Sequence, residues 1–451
     1  MHDEFFWFAS FAFRSLNPGL TLNRAWHLRY IADILTQLES GQQRSVIINI
    51  PPRNLKSTLI SVIWPAWLLG RDPSKRIIVA SYSQKLSNKL SIDSRFITIQ
   101  PWFKEVFPDF AIAQDQNEKH KFMTNKHGFR MAVSTGGMLT GEGGDVLILD
   151  DPHNPKEIFS DKLRNKTINW FEQVFLSRLN NQKKGKILLV MQRLHFRDLA
   201  GHLIEKGGYE LINFPIIFNQ EEKFMFNGLS KTIAKGDLLD AHRFDHSTIE
   251  RLKEHLGEVA FSAQYLGMPV AMSGNFIKKE QIKVSNNIPT HPEQIIQSWD
   301  SASCNTITSD YSVCSTWYII DDIFYLIDIF REKTSFLQLK QAAKNCYQKH
   351  RPDLVLIEGK SSGLALFDEL QGEGLPVNKI NPKEDKVSRL MQVVSYFENH
   401  KVVLCHGDYN FIELQNELLQ FPQGAHDDQV DSISQFLLWY KNRAYGSVRY
   451  T

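Results

Sequence analysis

The stretch Asn49 to Thr58 reads NIPPRNLKST, and its closing Lys56, Ser57 and Thr58 have the types that hold a nucleoside triphosphate. In a phosphate-binding loop, backbone N–H groups face phosphate oxygens, a lysine adds charge, and the next Ser or Thr hydroxyl reaches Mg2+. The nucleotide-contacting segment expected here is Pro52, Arg53, Asn54, Leu55, Lys56, Ser57 and Thr58. Both glycines of G-x-x-x-x-G-K-[ST] are missing, with Ile50 at the first and Leu55 at the second. Glycine normally supplies φ > 0 and a close phosphate approach, so Leu55 has to take up that backbone carrying a side chain. On the loop alone, a strand-to-helix turn with a surface lysine is the commoner arrangement. DVLILDD changes the balance, because this apolar run ends in Asp150 and Asp151. One acid at a strand end holds Mg2+ and its neighbour orients the attacking water, although Asp-Asp-Pro is also good turn chemistry. Loop and acidic strand end together favour ATP hydrolysis over two unrelated turns. Arg53 can bring charge to the γ-phosphate in cis, and Gln192 with Arg193 in VMQRLH can sense it. A solvated surface position is the alternative for each.

A second set of acids lies further along. Asp300 ends QIIQSWD, Glu358 ends DLVLIE, and GAHDDQVDSISQFLLWY puts Asp427, Asp428 and Asp431 at the start of a helix. Asp427 and Asp431 are four apart and share a face, while the helix dipole alone favours acids in a first turn. Acids from two strand ends and a later helix can converge on two divalent ions that clamp the attacking and leaving oxygens of a phosphodiester. Hard oxygen ligands suit Mg2+ or Mn2+. His426 either tunes this site or simply begins the helix.

These residues need elements to hold them. RSVIINI, RIIVASYS, DVLILDD and KILLVMQR read as buried strands, with helices STLISVIWPAWLLG, kinked near Pro65, and QKLSNKLSIDSRFITI between them. Apolar strands separated by helices make a mostly parallel sheet covered on both faces. In the C-terminal part QIIQSWDSA, YSVCSTWYII and IFYLIDIFREK are three successive strands, the last two joined by a tight turn at Asp321-Asp322. SFLQLKQAAKNCYQKH then forms a helix capped by serine, DLVLIEGKSSG a strand, and two or three further helices close the chain. That order is the one expected of a ribonuclease H-like mixed sheet. The expected division is an ATPase domain over 1–217 with an N-terminal helical segment, a connection over 218–289 that includes a helix ending near Gly267, and a nuclease domain over 290–451.

Bulk properties set outer bounds. The chain has 451 residues, 42% hydrophobic and 23% charged, the balance of a soluble globular protein of two or three domains. A net charge of +2 excludes a global basic field, so any nucleic-acid contact has to be local. Cys304, Cys314, Cys346 and Cys405 fit neither a zinc pattern nor a disulfide framework, consistent with a reduced, cytoplasmic protein. The opening MHDEFFWFASFAF lacks the basic start of a signal peptide, and no apolar run is long enough to span a membrane.

The ordered pieces PPRNLKST, GEGGDVLILDDP, VMQRLH, QSWDSA, VLIEGKSSG, DKVSRLMQVVSYFENHKVVL and HDDQVDSISQ, running from residue 51 to 435, resemble the large terminase subunits of tailed bacteriophages and prophages. No single piece is specific; the order is. The resemblance implies a P-loop ATPase followed by a ribonuclease H-like nuclease. Such a chain translocates double-stranded DNA through a portal protein into procapsids and cuts the concatemer. Its implied cofactors are ATP and Mg2+, with Mn2+ also suited to the nuclease. Its implied partners are DNA, the portal, a small terminase subunit and further copies in a ring at the portal, with no membrane. Carried over, Lys56, Ser57 and Asp150 bind phosphates and metal, Arg53 is the loop arginine, and Asp300, Glu358 and Asp427 are the nuclease acids. Asp428 can replace Asp427, and Asp431 can support either. Asp151 falls where the family usually has a glutamate, one methylene longer. Lys386 and Arg389 are placed to hold DNA phosphates. Two alternatives remain at this stage: a DNA helicase or translocase whose C-terminal domain only binds, and an inactive prophage remnant.

Overall fold

The structure, a computed structural model, describes residues 4–23, 25–139, 141–226, 228–269, 276–301, 311–360, 362–382, 384–407, 409–424 and 426–447; Cys304 lies outside them. The chain divides into two compact units, Met1–Leu252 with Val259–Ala271, and Lys253–Glu258 with Met272–Thr451. The segment expected as a connection is therefore shared between them. In the first unit it contributes a hairpin and all but the first residue of a helix, Glu258–Leu266, that stops before Gly267 at φ 68°.

The strands of the first unit are β1 (Ser45–Asn49), β2 (Arg76–Ser81), β3 (Ile112–Asn117), β4 (Lys121–Thr124), β5 (Phe129–Ser134), β6 (Val146–Asp150), β7 (Lys186–Met191) and β8 (Glu210–Asn213). They form one sheet in the order β3-β4-β5-β2-β6-β7-β1-β8. From β5 to β8 every pairing is parallel, and only β3 and β4 at one edge run antiparallel. Alternate residues along the central strands feed two cores. Val46, Ile48, Ile77, Val79, Val146, Ile148, Leu188 and Val190 face one core. Ile47, Ile78, Ala80, Leu147, Leu149, Ile187, Leu189 and Met191 face the other. Burial on both faces explains the near-continuous apolar runs in the sequence. A separate hairpin, β9 (Glu222–Phe226) with β10 (Leu229–Ile233), sets Phe224 and Phe226 against Tyr30, and Phe224 against Trp26, on the helix Trp26–Ser40.

The break expected near Pro65 is a change of pitch. Thr58–Ile63 winds as a π-helix and Trp64–Arg71 as an α-helix. Proline has no N–H to return to the carbonyl four residues back, and that carbonyl, Ser61 O, receives Arg130 Nη2 at 3.1 Å. Arg130 is fully buried on β5, and burial pushes its pKa down to about 9.

In the second unit β11 (Lys283–Ser285), β12 (Gln294–Asp300), β13 (Ser312–Ile320), β14 (Ile323–Glu332), β15 (Leu354–Glu358), β16 (Val377–Ile380) and β17 (Val402–Cys405) take the order β11-β17-β14-β13-β12-β15-β16. β12, β13 and β14 are antiparallel neighbours, as expected, and the remaining pairings are parallel. The β13–β14 turn places Asp321 and Asp322 at φ 49° and 57°, the positive pair that a two-residue hairpin turn requires. Helix Phe336–His350 begins where Gln338 Oε1 accepts the Ser335 N–H at 2.9 Å. After Glu358 the described residues hold five helices and two strands, more than the two or three helices expected.

The last of these, Asp428–Ser447, lies on the sheet through small polar residues. Ser432 Oγ donates to Ser298 O at 2.7 Å and meets Ser315 Oγ at 2.6 Å, while Ser298 Oγ donates to Ser432 O at 2.9 Å. Gln435 Nε2 adds bonds to Ser298 Oγ and Trp299 O, and Trp317 Nε1 bonds Ser315 Oγ. All these side chains are buried, so the helix has one rotation in which its polar atoms are satisfied. Replacing Ser432 by alanine strips two of these contacts. Equilibrium urea unfolding should show the second unit weakened by about 1–3 kcal/mol, and an unchanged midpoint would mean the serine contacts do not set this packing.

Candidate active sites

In the first unit β1 leads into the loop, and the loop has the glycine-type backbone without glycine. Arg53 and Leu55 adopt φ 65° and 58°. A bulky residue there is strained, and such strain persists where surrounding packing fixes it. Leu55 packs against the first core, and buried Asn54 sends Nδ2 to the carbonyls of Pro51 and Pro52, both at 3.2 Å. Thr58 opens the π-helix, and Arg53 is exposed. Strand order places β7 between β1 and β6, so Gln192 at the end of β7 lies between the loop and the two acids.

Lysine and serine each find an acid. Ser57 Oγ donates to Asp150 Oδ1 at 3.0 Å, and Lys56 Nζ lies 2.9 Å from Asp151 Oδ2. The Gln192 N–H donates to Asp151 Oδ1 at 3.0 Å, and Asp151 itself sits at φ 44°. Asp150 is fully buried with Oδ2 unpartnered. Burial, then the Asp151 charge, push its pKa up to about 6, against the pull of Lys56 and the Ser61 and Ser57 hydroxyls. A hydroxyl beside a buried carboxylate with a spare oxygen is a donor set that fits Mg2+. Arg193 is engaged by a nearby acid. Its Nε bonds both oxygens of Asp198 at 3.0 Å, and Asp198 caps the helix Leu199–Lys206 through the Gly201 N–H.

In the second unit Asp300 and Glu358 end neighbouring parallel strands, and their carboxyl groups hydrogen-bond to each other. Burial, that hydrogen bond and the charge of Asp431 drive the Asp300 carboxyl well above the ordinary range. Burial also pulls Glu358 upward, but the Asp300 hydrogen bond, Lys360 and Arg389 outweigh it and hold Glu358 low. Asp300 is thus the proton donor of the pair. Arg389 joins them to the last helix, with Nη1 3.6 Å from Glu358 Oε1 and Nη2 2.8 Å from Asp431 Oδ1. Lys386 Nζ stands 2.6 Å from Asp431 Oδ2 and 2.7 Å from Asp427 Oδ1.

The structure therefore seats Asp431 beside the strand-end pair and Asp427 one step out, across Lys386. Asp428 is buried in the first turn of the helix, and His426 packs in a T-shaped arrangement against Tyr311. Lys386 and Arg389, expected on DNA phosphates, are engaged with the acids. Among the described residues no three acidic, histidine or cysteine side chains stand close enough to hold an ion as they are. Burial, with the neighbouring carboxyl groups, disfavours the charge on Asp300, and hard oxygen donors so placed still fit a divalent ion, which offsets that cost. Lys360, 3.0 Å from Glu358 Oε1, was missed in the sequence, although a position two beyond a strand-end acid was a signal for it. Arg130 was missed too, with its place inside an apolar run as the only clue.

The fold and the two clusters define a class: a parallel-sheet unit with a phosphate-type loop opposed by paired acids, and a mixed-sheet unit with acids at neighbouring strand ends. Residues 297–439 match the family described as Terminase RNaseH-like domain. The chain is 22% identical over 257 residues to the terminase large subunit of Enterobacteria phage T3, a match covering 52% of this chain and 43% of that protein. The chain thus matches less than half the length of this curated relative. The large terminase of a thermophilic bacteriophage, solved with ATP-γ-S, superposes with a TM-score of 0.55 at 12% identity, over 91% of this chain and 98% of that one. The ADP complex of the same phage protein gives 0.56 at 12% identity over the same shares. This chain has the fold of the phage large terminases, and residues 297–439, in its second unit, match the terminase ribonuclease H-like domain. The resemblance and the fold class read from the ordered motifs are borne out.

The raised pKa of Asp150 has a definite sign. Between its ordinary value of 3.8 and about 6 the folded state holds the proton that the unfolded state has lost, so this group's stabilisation is complete below pH ~4 and is lost as pH rises through 6. Without nucleotide or Mg2+, Asp150→Asn should stabilise the first unit at pH 7.5 by up to about 3 kcal/mol. The gain should shrink at pH 5, as read from paired thermal melts, and an equal gain at both values would contradict the assignment.

Proposed function

We propose that this chain is a terminase large subunit, an ATPase that drives double-stranded DNA into procapsids and a metal-dependent endonuclease that cuts concatemeric DNA. The observation that carries the reading is the presence, in one chain of the large-terminase fold, of two strand-end acid clusters, each opposed by cationic side chains. The ATPase role is assigned to the first unit and the nuclease to the second. The portal protein, the small terminase subunit and further copies in a ring are its proposed partners, and the host cytoplasm its place of work. Among the described residues no helix is long and apolar enough to cross a membrane.

Divalent ions supply charge neutralisation at the phosphates and at the scissile phosphodiester. The side chains do the rest. Ser57 and Asp150 are the proposed Mg2+ ligands. Lys56, released from Asp151, moves to the phosphate oxygens, and the freed Asp151 carboxylate orients the attacking water. Gln192 holds Asp151 through its backbone N–H, so the shorter acid is aimed by β7, and exposed Arg53 brings charge to the γ-phosphate. In the nuclease, Asp300, Glu358 and Asp431 are the proposed inner ligands, with Asp427 and Asp428 at the helix start completing the set.

Lys56→Ala and Asp151→Asn should each lower ATP turnover at least about 100-fold while leaving plasmid cleavage in Mn2+ intact. Asp300→Ala should do the reverse. Both activities have to be measured on the same preparations. Cleavage that survives Asp300→Ala, or turnover that survives Lys56→Ala, rules out the corresponding site.

A further inference from the structure

We infer that Lys386 is a built-in competitor for divalent metal in the second unit: its ammonium occupies the space between Asp427 and Asp431 that an ion has to enter. The inference rests on the nuclease reading of this cluster. Lys386 Nζ lies 2.7 Å from Asp427 Oδ1 and 2.6 Å from Asp431 Oδ2, distances at which it serves as the counter-ion of both. Burial lowers its proton affinity, yet the pull of Asp431 and Asp427 more than reverses this, so the ammonium stays charged.

A second cation, Arg389, sits one turn further along the short helix Lys386–Met391 and holds Asp431 Oδ1 and Glu358. The two cations differ in freedom. The Arg389 side chain is 5% exposed, while that of Lys386 is 45% exposed. The helix is fixed at its start, where Asp385 accepts the Ser388 N–H at 3.0 Å and its hydroxyl at 2.9 Å. Arg389 is therefore a permanent part of the cluster, and Lys386, on a flexible stem that opens to solvent, is the cation that can leave. Two like charges cannot share the Asp427–Asp431 gap without a large Coulomb cost, so an arriving ion either expels Lys386 or stays out. Once expelled, the ammonium is free to meet a phosphodiester oxygen. Metal loading and substrate binding then favour one another, because each removes an obstacle to the other.

The test is Mn2+ binding by the full chain without nucleotide, read by electron paramagnetic resonance of the free ion. Wild type is compared with Lys386→Met, Lys386→Gln and Lys386→Arg, with folding checked by circular dichroism melts. Both neutral variants should bind Mn2+ about tenfold more tightly than wild type, and the arginine variant no more tightly. Adding Asp300→Asn to Lys386→Met should weaken that binding, which locates the ion in this cluster. Neutral variants that fold but bind no better than wild type overturn the inference, as does a gain indifferent to Asp300→Asn. Tight, Asp300-dependent Mn2+ binding with no DNA cleavage by any variant leaves the competitor role standing and sinks the nuclease reading instead.

Discussion

Carboxylates buried side by side at strand ends repel one another, and both units of this protein are arranged around that repulsion. Asp150 and Asp151 are consecutive in sequence, and Asp300, Glu358 and Asp431 are brought together by folding. Taking such groups out of water is costly unless a proton or a cation compensates. The first unit uses Lys56 on Asp151 and lets burial raise the proton affinity of Asp150. The second uses Arg389 and Lys386 and lets burial raise the proton affinity of Asp300. In the proposed function, that same imbalance is what a divalent ion, or a phosphate that draws the lysine away, would relieve.

Holding acids in that state needs a rigid frame, and the frame differs between the units. In the first, β6, β7 and β1 lie side by side with both faces buried, so strand ends are fixed and loop residues are aimed from a solid edge. In the second, two acids stand on strands and the third on a helix. Its aim depends on the serine contacts among Ser298, Ser315 and Ser432, because a turn of that helix would carry Asp431 away from Arg389. The start of the helix is held as well. Glu417 accepts the Gln429 and Val430 N–H groups at 2.7 and 3.2 Å, the work of a capping side chain done from another helix.

Much of this was legible in the sequence. Apolar runs marked the central strands because burial on two faces demands them, and residue type picked out Lys56, Ser57, Asp150, Asp300 and Glu358. Contacts between distant segments were not legible. The rank of Asp431 over Asp427 follows from helix rotation, which is set by serines 117 and 134 residues away. Arg193 looked like a sensor until Asp198, five residues on, claimed it. β3 and β4 escaped notice because edge strands of mixed polarity, such as Ile112–Asn117, carry little periodic signal. Pro65 announced a break in its helix but not that the helix would loosen to π pitch or that Arg130 would take the freed carbonyl.

Leu55 has one more consequence. A glycine-rich loop samples many shapes and gives up that freedom when ligand arrives. Here the left-handed turn belongs to a leucine whose side chain is lodged against the core, between an arginine with the same backbone sign and a lysine already bonded to Asp151. Most of the ordering has taken place during folding, so on the proposed reading less conformational entropy would be lost on nucleotide binding. The proposed phosphate loop is therefore an outgrowth of the hydrophobic interior, since Leu55 packs against the same core cluster that contains Trp64 and Trp67.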